Sequence, residues 1–204
     1  MKIKLITISI FLLLFMAQLQ ASPGYAYPQP GQNTPLQASG PGAVLREGVT
    51  KLLQFMRQPE APSPEMIAVF LDDEIAPYFD FDYMAKWTAG PAYRNMSEQQ
   101  RSLLEEKIKG MLLSSLSERL ASFNSQDVRI FRPRRVGQNE VKVRMGILRP
   151  DGYPTRVDFR FYRSESGWKI FDVSANGSSA LAFYRQYFAR QAEMAGGMMR
   201  PRQM

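Results

Sequence analysis

Asp72, Asp73, Glu74, Asp80 and Asp82 are the densest group of acidic side chains in this 204-residue chain, and two carboxylates converging on a cleft could do general acid and base work of the glycosidase kind. Little else is available for chemistry. The chain has no histidine and no cysteine, so neither a Ser-His-Asp nor a Cys-His arrangement can be assembled. Zinc loses its commonest ligands, and no disulfide or acylated cysteine exists. Carboxylate, tyrosine, lysine or serine–lysine chemistry remains. Asp80 and Asp82, however, alternate with Phe79, Phe81 and Tyr83 in a short segment between helices, where capping a helix start is the simpler role. No catalytic residue and no metal site is expected.

The elements around these acids follow from periodicity. Val44, Leu45, Val49, Leu52, Leu53 and Met56 fall on one helical face, with folding expected to start near Ala43 and the helix to end before Pro59. Ser63 as cap, Pro64 in the first turn and Glu65 open a second helix carrying Ile67, Phe70, Leu71 and Ile75. Residues 79–88 read as a short third helix. Ser97-Glu98-Gln99-Gln100 is a capping box that starts the longest helix, with an apolar stripe from Leu104 to Phe123 that suits it to roof a sheet.

The last third turns to period two. Val141, Val143, Met145 and Ile147 alternate with Lys142 and Arg144, and Val157, Phe159 and Phe161 alternate with Arg156, Asp158 and Arg160. Asp151-Gly152 and Ser164-Glu165-Ser166-Gly167 supply tight turns. With a strand over 127–133 and another ending at Val173, the expectation is an antiparallel sheet of about four strands with one wet face. Asn176-Gly177 then turns the chain into a closing helix with Leu181, Tyr184 and Phe188 on one side.

Lys2 and Lys4 precede an uncharged apolar run from Leu5 to Ala17, too short to span a bilayer and of the length of a signal-peptide core. Cleavage is expected after Ala21, with Gly24 and Ala26 a second candidate and an uncleaved anchor the alternative. Residues 22–42, with five prolines and four glycines, read as a disordered linker, 43–192 as the folded domain, and 193–204 as a flexible methionine-rich tail. Residues 1–21 hold two of the 26 basic residues and none of the 19 acidic ones, so the remainder keeps a net charge of about +5. Nucleic acid is the reflex partner for a basic chain with pI ≈ 9.7. For an exported protein, lipid headgroups and acidic partner surfaces are the available anions, and an inert solvated face is the third reading.

These residues resemble a known family. Phe79-Asp80-Phe81-Asp82-Tyr83-Met84-Ala85, Tyr93-Arg94 and Ser97-Glu98-Gln99-Gln100-Arg101 look like the central block of the MlaC family of periplasmic phospholipid-binding, or toluene-tolerance, proteins. Val141-Lys142-Val143-Arg144, Gly152, Pro154, Val157-Asp158-Phe159-Arg160, Trp168 to Val173 and Tyr184 to Phe188 look like its second block. The resemblance spans roughly residues 43–192 and departs from the family pattern at Asn176 to Ala180. It implies an α+β fold, with a curved cystatin-like or nuclear-transport-factor-like antiparallel sheet covered by helices around an apolar lipid pocket. It implies a monomeric carrier of diacyl phospholipid, with no cofactor beyond that cargo, no nucleic acid and no catalysis. Its implied partners, met transiently, are the MCE-type ring of an inner-membrane ABC transporter and an outer-membrane lipoprotein complex, the whole maintaining outer-membrane lipid asymmetry.

The side chains expected to line such a pocket are Phe81, Met84, Leu104, Ile108, Met111, Leu112, Val143, Met145, Val157, Phe159, Leu181 and Tyr184. Any one of them taken singly reads as ordinary core. Methionine is well suited to the task, because its unbranched thioether refits to chains of different length. Arg144 and Arg160 are weaker candidates for headgroup or partner contact, against a solvated sheet face. A secreted lipid- or sugar-acting enzyme and a ligand-free structural module are the rival readings.

Overall fold

The computed structural model describes residues 40–121, 127–148 and 152–198, all within a compact unit spanning Pro35–Met204. The expected leader, most of the expected linker, Phe123, Asp151 and residues 199–204 lie outside the described residues. The architecture is α+β, as the sequence predicts. In chain order come α1 (Pro41–Met56), α2 (Pro64–Phe70), a π-helical stretch (Leu71–Ile75), a 3₁₀ turn (Ala76–Tyr78), α3 (Phe81–Ala89), a second 3₁₀ stretch (Gly90–Asn95) and α4 (Glu98–Ala121). The strands β1 (Val128–Ile130), β2 (Arg134–Arg135), β3 (Glu140–Ile147), β4 (Thr155–Ser164), β5 (Gly167–Ala175) and β6 (Ser178–Ser179) follow, and α5 (Ala180–Met198) closes the chain.

The fold starts two residues earlier than expected, at Pro41, which is buried together with Gly42. Proline suits a first helical turn because its missing N–H would be unpaired there anyway. Gly42 permits a close approach, since a Cβ at that position would sit 3.0 Å from the Pro133 ring. Ser63 caps α2 by accepting the Met66 N–H at 3.3 Å. The π stretch turns Leu71 and Ile75 inward while Asp72 and Glu74 face out to Lys109 and Lys51, at 2.6 and 2.9 Å.

The sheet is entirely antiparallel in the order β1-β3-β4-β5-β6, with β2 also pairing β3. It has six strands where about four are expected, because β2 and β6 are two-residue strands with no periodicity to read. β1 is also shorter than the expected 127–133. The apolar alternation holds: Val143 pairs with Phe159, Val141 with Phe161, and Val143 and Phe161 are fully buried.

The opposite face is wet over only part of its area. Between Arg160 and Phe161 the register with β5 slips by one residue, so that Arg160 faces Asp172 and Phe161 faces Ile170. The extra residue, Phe171, is fully buried and packs with Tyr162 and Arg160 against Tyr83 and Trp87 of α3. The long helix is not the main roof of the sheet: α4 packs chiefly on α3 and α2, while α3 and α5 meet β5. α5 also runs to Met198, past Glu193 where the sequence suggests fraying.

Candidate functional site

Asp80 fixes one end of the site. Its carboxylate accepts the Tyr83 N–H at 2.8 Å and caps α3, as the sequence suggests, and also accepts the Tyr162 hydroxyl from β4. The Asp80 N–H donates to the Ile170 carbonyl at 2.9 Å, while Phe79 bridges Ile170 as a short parallel pair. The start of α3 is thereby sewn to β5. Tyr83 stacks on Tyr162 at 4.0 Å, and burial, with the hydrogen bond to Asp80, pushes the Tyr162 hydroxyl well above its ordinary value.

Asp82 locks the next turn. It accepts hydrogen bonds from Lys86 and from the Tyr93 hydroxyl at 2.6 Å. Burial works to raise its carboxyl, but those two bonds together with the charges of Lys86 and Arg101 outweigh it and hold the group below the usual carboxylate range. Burial and the same bond push Tyr93 up to about 12. Arg101 lies 4.7 Å over the Tyr93 ring, and the capping box closes with Gln100 N–H to Ser97 Oγ at 3.2 Å and Ser97 N–H to Gln100 Oε1 at 2.8 Å. Asp80 and Asp82 thus serve a cap and hydrogen bonds, Asp72 and Glu74 form ion pairs, and Asp73 and Glu74 also line an open groove together with Glu47. Among the described residues no three acids are placed to hold a metal ion.

These anchors position an apolar layer. Phe81, Met84, Leu104, Ile108, Val143, Leu181 and Tyr184 all belong to one buried cluster, with Met84, Ile108 and Val143 wholly inaccessible to solvent. Met111, Leu112 and Phe159 are half-buried against it. Burial pushes the Tyr184 hydroxyl up to about 12. Met145 and Val157 stand apart from this cluster. They pair with each other across β3 and β4 next to Ile130 of β1, toward the far end of the sheet. Leu71 and Ile75, read from the sequence as part of an apolar helix face, join the same cluster, and so does Phe171, which sequence reasoning missed; the two consecutive apolar residues Ile170-Phe171 before Asp172 were the available signal of a parity break.

The two weaker candidates have partners inside the protein. Arg144 donates twice to Asp158, at 2.7 and 3.1 Å, and Arg160 donates to Glu140 at 2.9 Å, lies 3.7 Å from Asp172 and sits over the Trp87 and Phe171 rings. An open groove of about 490 Å³ runs elsewhere, between α1, the π stretch and the β4–β5 turn, and is lined by Lys51, Asp73, Tyr78, Arg163 and Trp168 among others. It shares none of the residues expected to hold lipid. Its walls mix charged side chains, Glu47, Asp73 and Glu74 among them, with the apolar surfaces of Val44, Pro77, Tyr78 and Trp168.

The family model described as MlaC protein matches residues 46–198. The chain belongs to the MlaC family. A relative from Haemophilus influenzae, the intermembrane phospholipid transport system binding protein MlaC, is 20% identical over 155 residues, covering 72% of each chain. The solved structure of a phospholipid-binding protein from Ralstonia solanacearum, in complex with a phospholipid, aligns with a TM-score of 0.68 at 22% identity, over 76% of this chain and 88% of that one. This likeness shows the fold, an open antiparallel sheet covered by helices. The MlaC match reaches Met198, where α5 ends.

Proposed function

We propose that this MlaC-family chain is a non-enzymatic carrier that binds a diacyl phospholipid by its acyl chains and moves it through the periplasm. The observation that carries the reading is the match of the family model across residues 46–198. Two relatives support it by what they bind: one is named as a phospholipid transport binding protein, and the other holds a phospholipid. The physics fits the task. Exposing acyl chains to water costs about 0.8 kcal/mol per CH₂, so a carrier must part an apolar layer around the tails while the headgroup stays outside. The layer around Met84, Ile108 and Tyr184 is the part of this molecule suited to that, with half-buried Met111 and Leu112 at its margin.

In this reading the donor and acceptor are an outer-membrane lipoprotein complex and the MCE-type ring of an inner-membrane transporter, and the result is maintained outer-membrane asymmetry. The carrier works as a monomer. The N-terminal segment is a leader removed near Ala21; among the described residues no helix is long and apolar enough to cross a membrane. Mass spectrometry of the protein purified gently from its host tests the central claim. Phospholipid in near-equal proportion to protein is expected, whereas a consistently empty protein would sink it. N-terminal sequencing of the same material is expected to begin near residue 22, and intact Met1 in the membrane fraction would rule out the soluble carrier.

A further inference from the structure

The sheet face opposite the apolar one divides in two. Its β5 half lies under α3 and α5, while its β1–β3 half is bare. The strand register places Arg134 beside Lys142, Phe131 beside Arg144 and Asp158, and Arg129 and Arg156 on either side of Gly146, which is buried beneath the Phe131 ring. Five cations therefore share this half-face with three acids: Glu140, which Arg160 holds, Asp127 one same-face step along the chain from Arg129, and Asp158 at the centre. Asp158 is committed: Arg144 holds it bidentately, and Lys142 is 3.9 Å away. Arg129, Arg134 and Arg156 are exposed and make no ion pair among the described residues.

Apolar surface accompanies the charge. Phe131 is 44% exposed, with Arg129 lying 5.6 Å over its ring. Tyr153, in the β3–β4 connection, is 96% exposed. The patch is an array on adjacent strands, with neighbouring strands about 5 Å apart and same-face residues about 7 Å apart along each strand. We propose that this bare half-face is a docking surface for an anionic phospholipid bilayer. Arginine forks pair with lipid phosphates, and the exposed rings of Phe131 and Tyr153 settle at the headgroup level. Basic residues combined with a few interfacial aromatics give reversible peripheral attachment, and a bilayer presents the flat, repeating phosphate surface that matches the array. The surface is separate from the apolar layer around Met84 and Ile108, so docking here goes beyond cargo binding and does not require it.

Vesicle co-sedimentation of the full chain purified from the soluble fraction tests this. Phosphatidylcholine vesicles containing phosphatidylglycerol should bind about tenfold more tightly than pure phosphatidylcholine vesicles at low salt, with the difference collapsing at high salt. Replacing Arg129→Gln, Arg134→Gln and Arg156→Gln together should remove most of that difference. All three are solvent-exposed, so the melting temperature should stay close to that of the parent. A control with equal exposure, Arg57→Gln with Lys107→Gln, lowers the net charge away from this face and should retain most of the binding. Three outcomes overturn the proposal: equal binding to neutral and anionic vesicles, an equal loss per charge removed in the control, or no binding to anionic vesicles at low salt. The last would assign the face to an acidic protein partner or to solvent. Lipid carried by the triple variant, measured by mass spectrometry, should match the parent, which separates docking from cargo binding.

Discussion

Asp172 is the residue on which several elements converge. It is 2% exposed in β5, accepts the Ser179 hydroxyl at 2.9 Å and the Leu181 N–H at 3.2 Å, and lies 3.7 Å from Arg160. One carboxylate thus joins β5, the β6 turn and the first turn of α5, where negative charge is favoured by the helix dipole. Removing one partner of a buried charged network leaves the others unpaired. Asp172→Ala is expected to cost about 3 kcal/mol or more, read from urea unfolding, and a cost below about 1 kcal/mol would show that water replaces the carboxylate. Asp158 supplies a pH test. Hydrogen bonding from Arg144 holds its carboxyl below the usual range, against the opposing effect of burial. A carboxyl depressed in the folded state stabilises above its unfolded value of about 3.9, and that contribution is lost as pH falls through the lower folded value. Asp158→Asn should therefore reduce the melting temperature near neutral pH and flatten its decline below about pH 4. Parallel acid limbs in parent and variant would show that the pair is uncoupled from folding. At this scale the sequence was legible where a residue acts on its neighbours, as in the Ser97 capping box and the Asp80 cap. The bonds from Asp80 to Tyr162 and from Asp172 to Ser179 depend on tertiary placement and left no local trace.

Among the elements, β3, β4, β5 and the helices were legible because each carries a sustained period. The Asn176-Gly177 turn was legible from composition: both residues have positive φ, 49° and 93°, as a two-residue hairpin between β5 and β6 requires. Three features were not. The π stretch shifts its phase within five residues, the Phe171 bulge breaks alternation only once, and the stretch after Glu193 carries no apolar pattern although α5 continues into it. The same reasoning explains the candidate lipid residues. Their periodicity put ten of the twelve in one cluster, whereas Met145 and Val157 lie on the same sheet face toward its other end, a distinction that period two does not carry. The margin of that cluster is open to a substitution test along α4. Ile108 is wholly buried and Leu104 nearly so, and tryptophan at either should cost about 1–3 kcal/mol through overpacking. Met111 and Leu112 are half-buried, and if the acyl chains enter beside them, Met111→Trp or Leu112→Trp should keep the melting temperature of the delipidated protein while co-purified lipid falls. Destabilisation with lipid retained in both would make this stretch ordinary core and move the entry elsewhere.

At the scale of the whole molecule, the charges are distributed away from the apolar layer. Arg144 and Arg160, two of the basic side chains beside the candidate lipid residues of β3 and β4, are held by Asp158, Glu140 and Asp172. The acids at the start of α3 are held by Tyr162, Tyr93 and Lys86. A headgroup leaving the layer would therefore meet side chains that already have partners, and swapping one of those partners for a phosphate gains little net free energy. Burial of the tails, by contrast, adds about 0.8 kcal/mol for every CH₂ removed from water. Affinity should follow chain length far more than headgroup. With phosphatidylethanolamine, phosphatidylglycerol and phosphatidylcholine of identical chains offered in competition to delipidated protein, the bound fractions should agree within about tenfold, or about 1.4 kcal/mol. Shortening both chains by two carbons should weaken binding more than any headgroup exchange. A strong preference for one headgroup at matched chains would mean that a charged group now counted as paired is released when lipid enters, and the Arg160–Glu140 pair would be the first to examine, because Arg160 spans the covered end of the sheet beside Phe171 and Trp87.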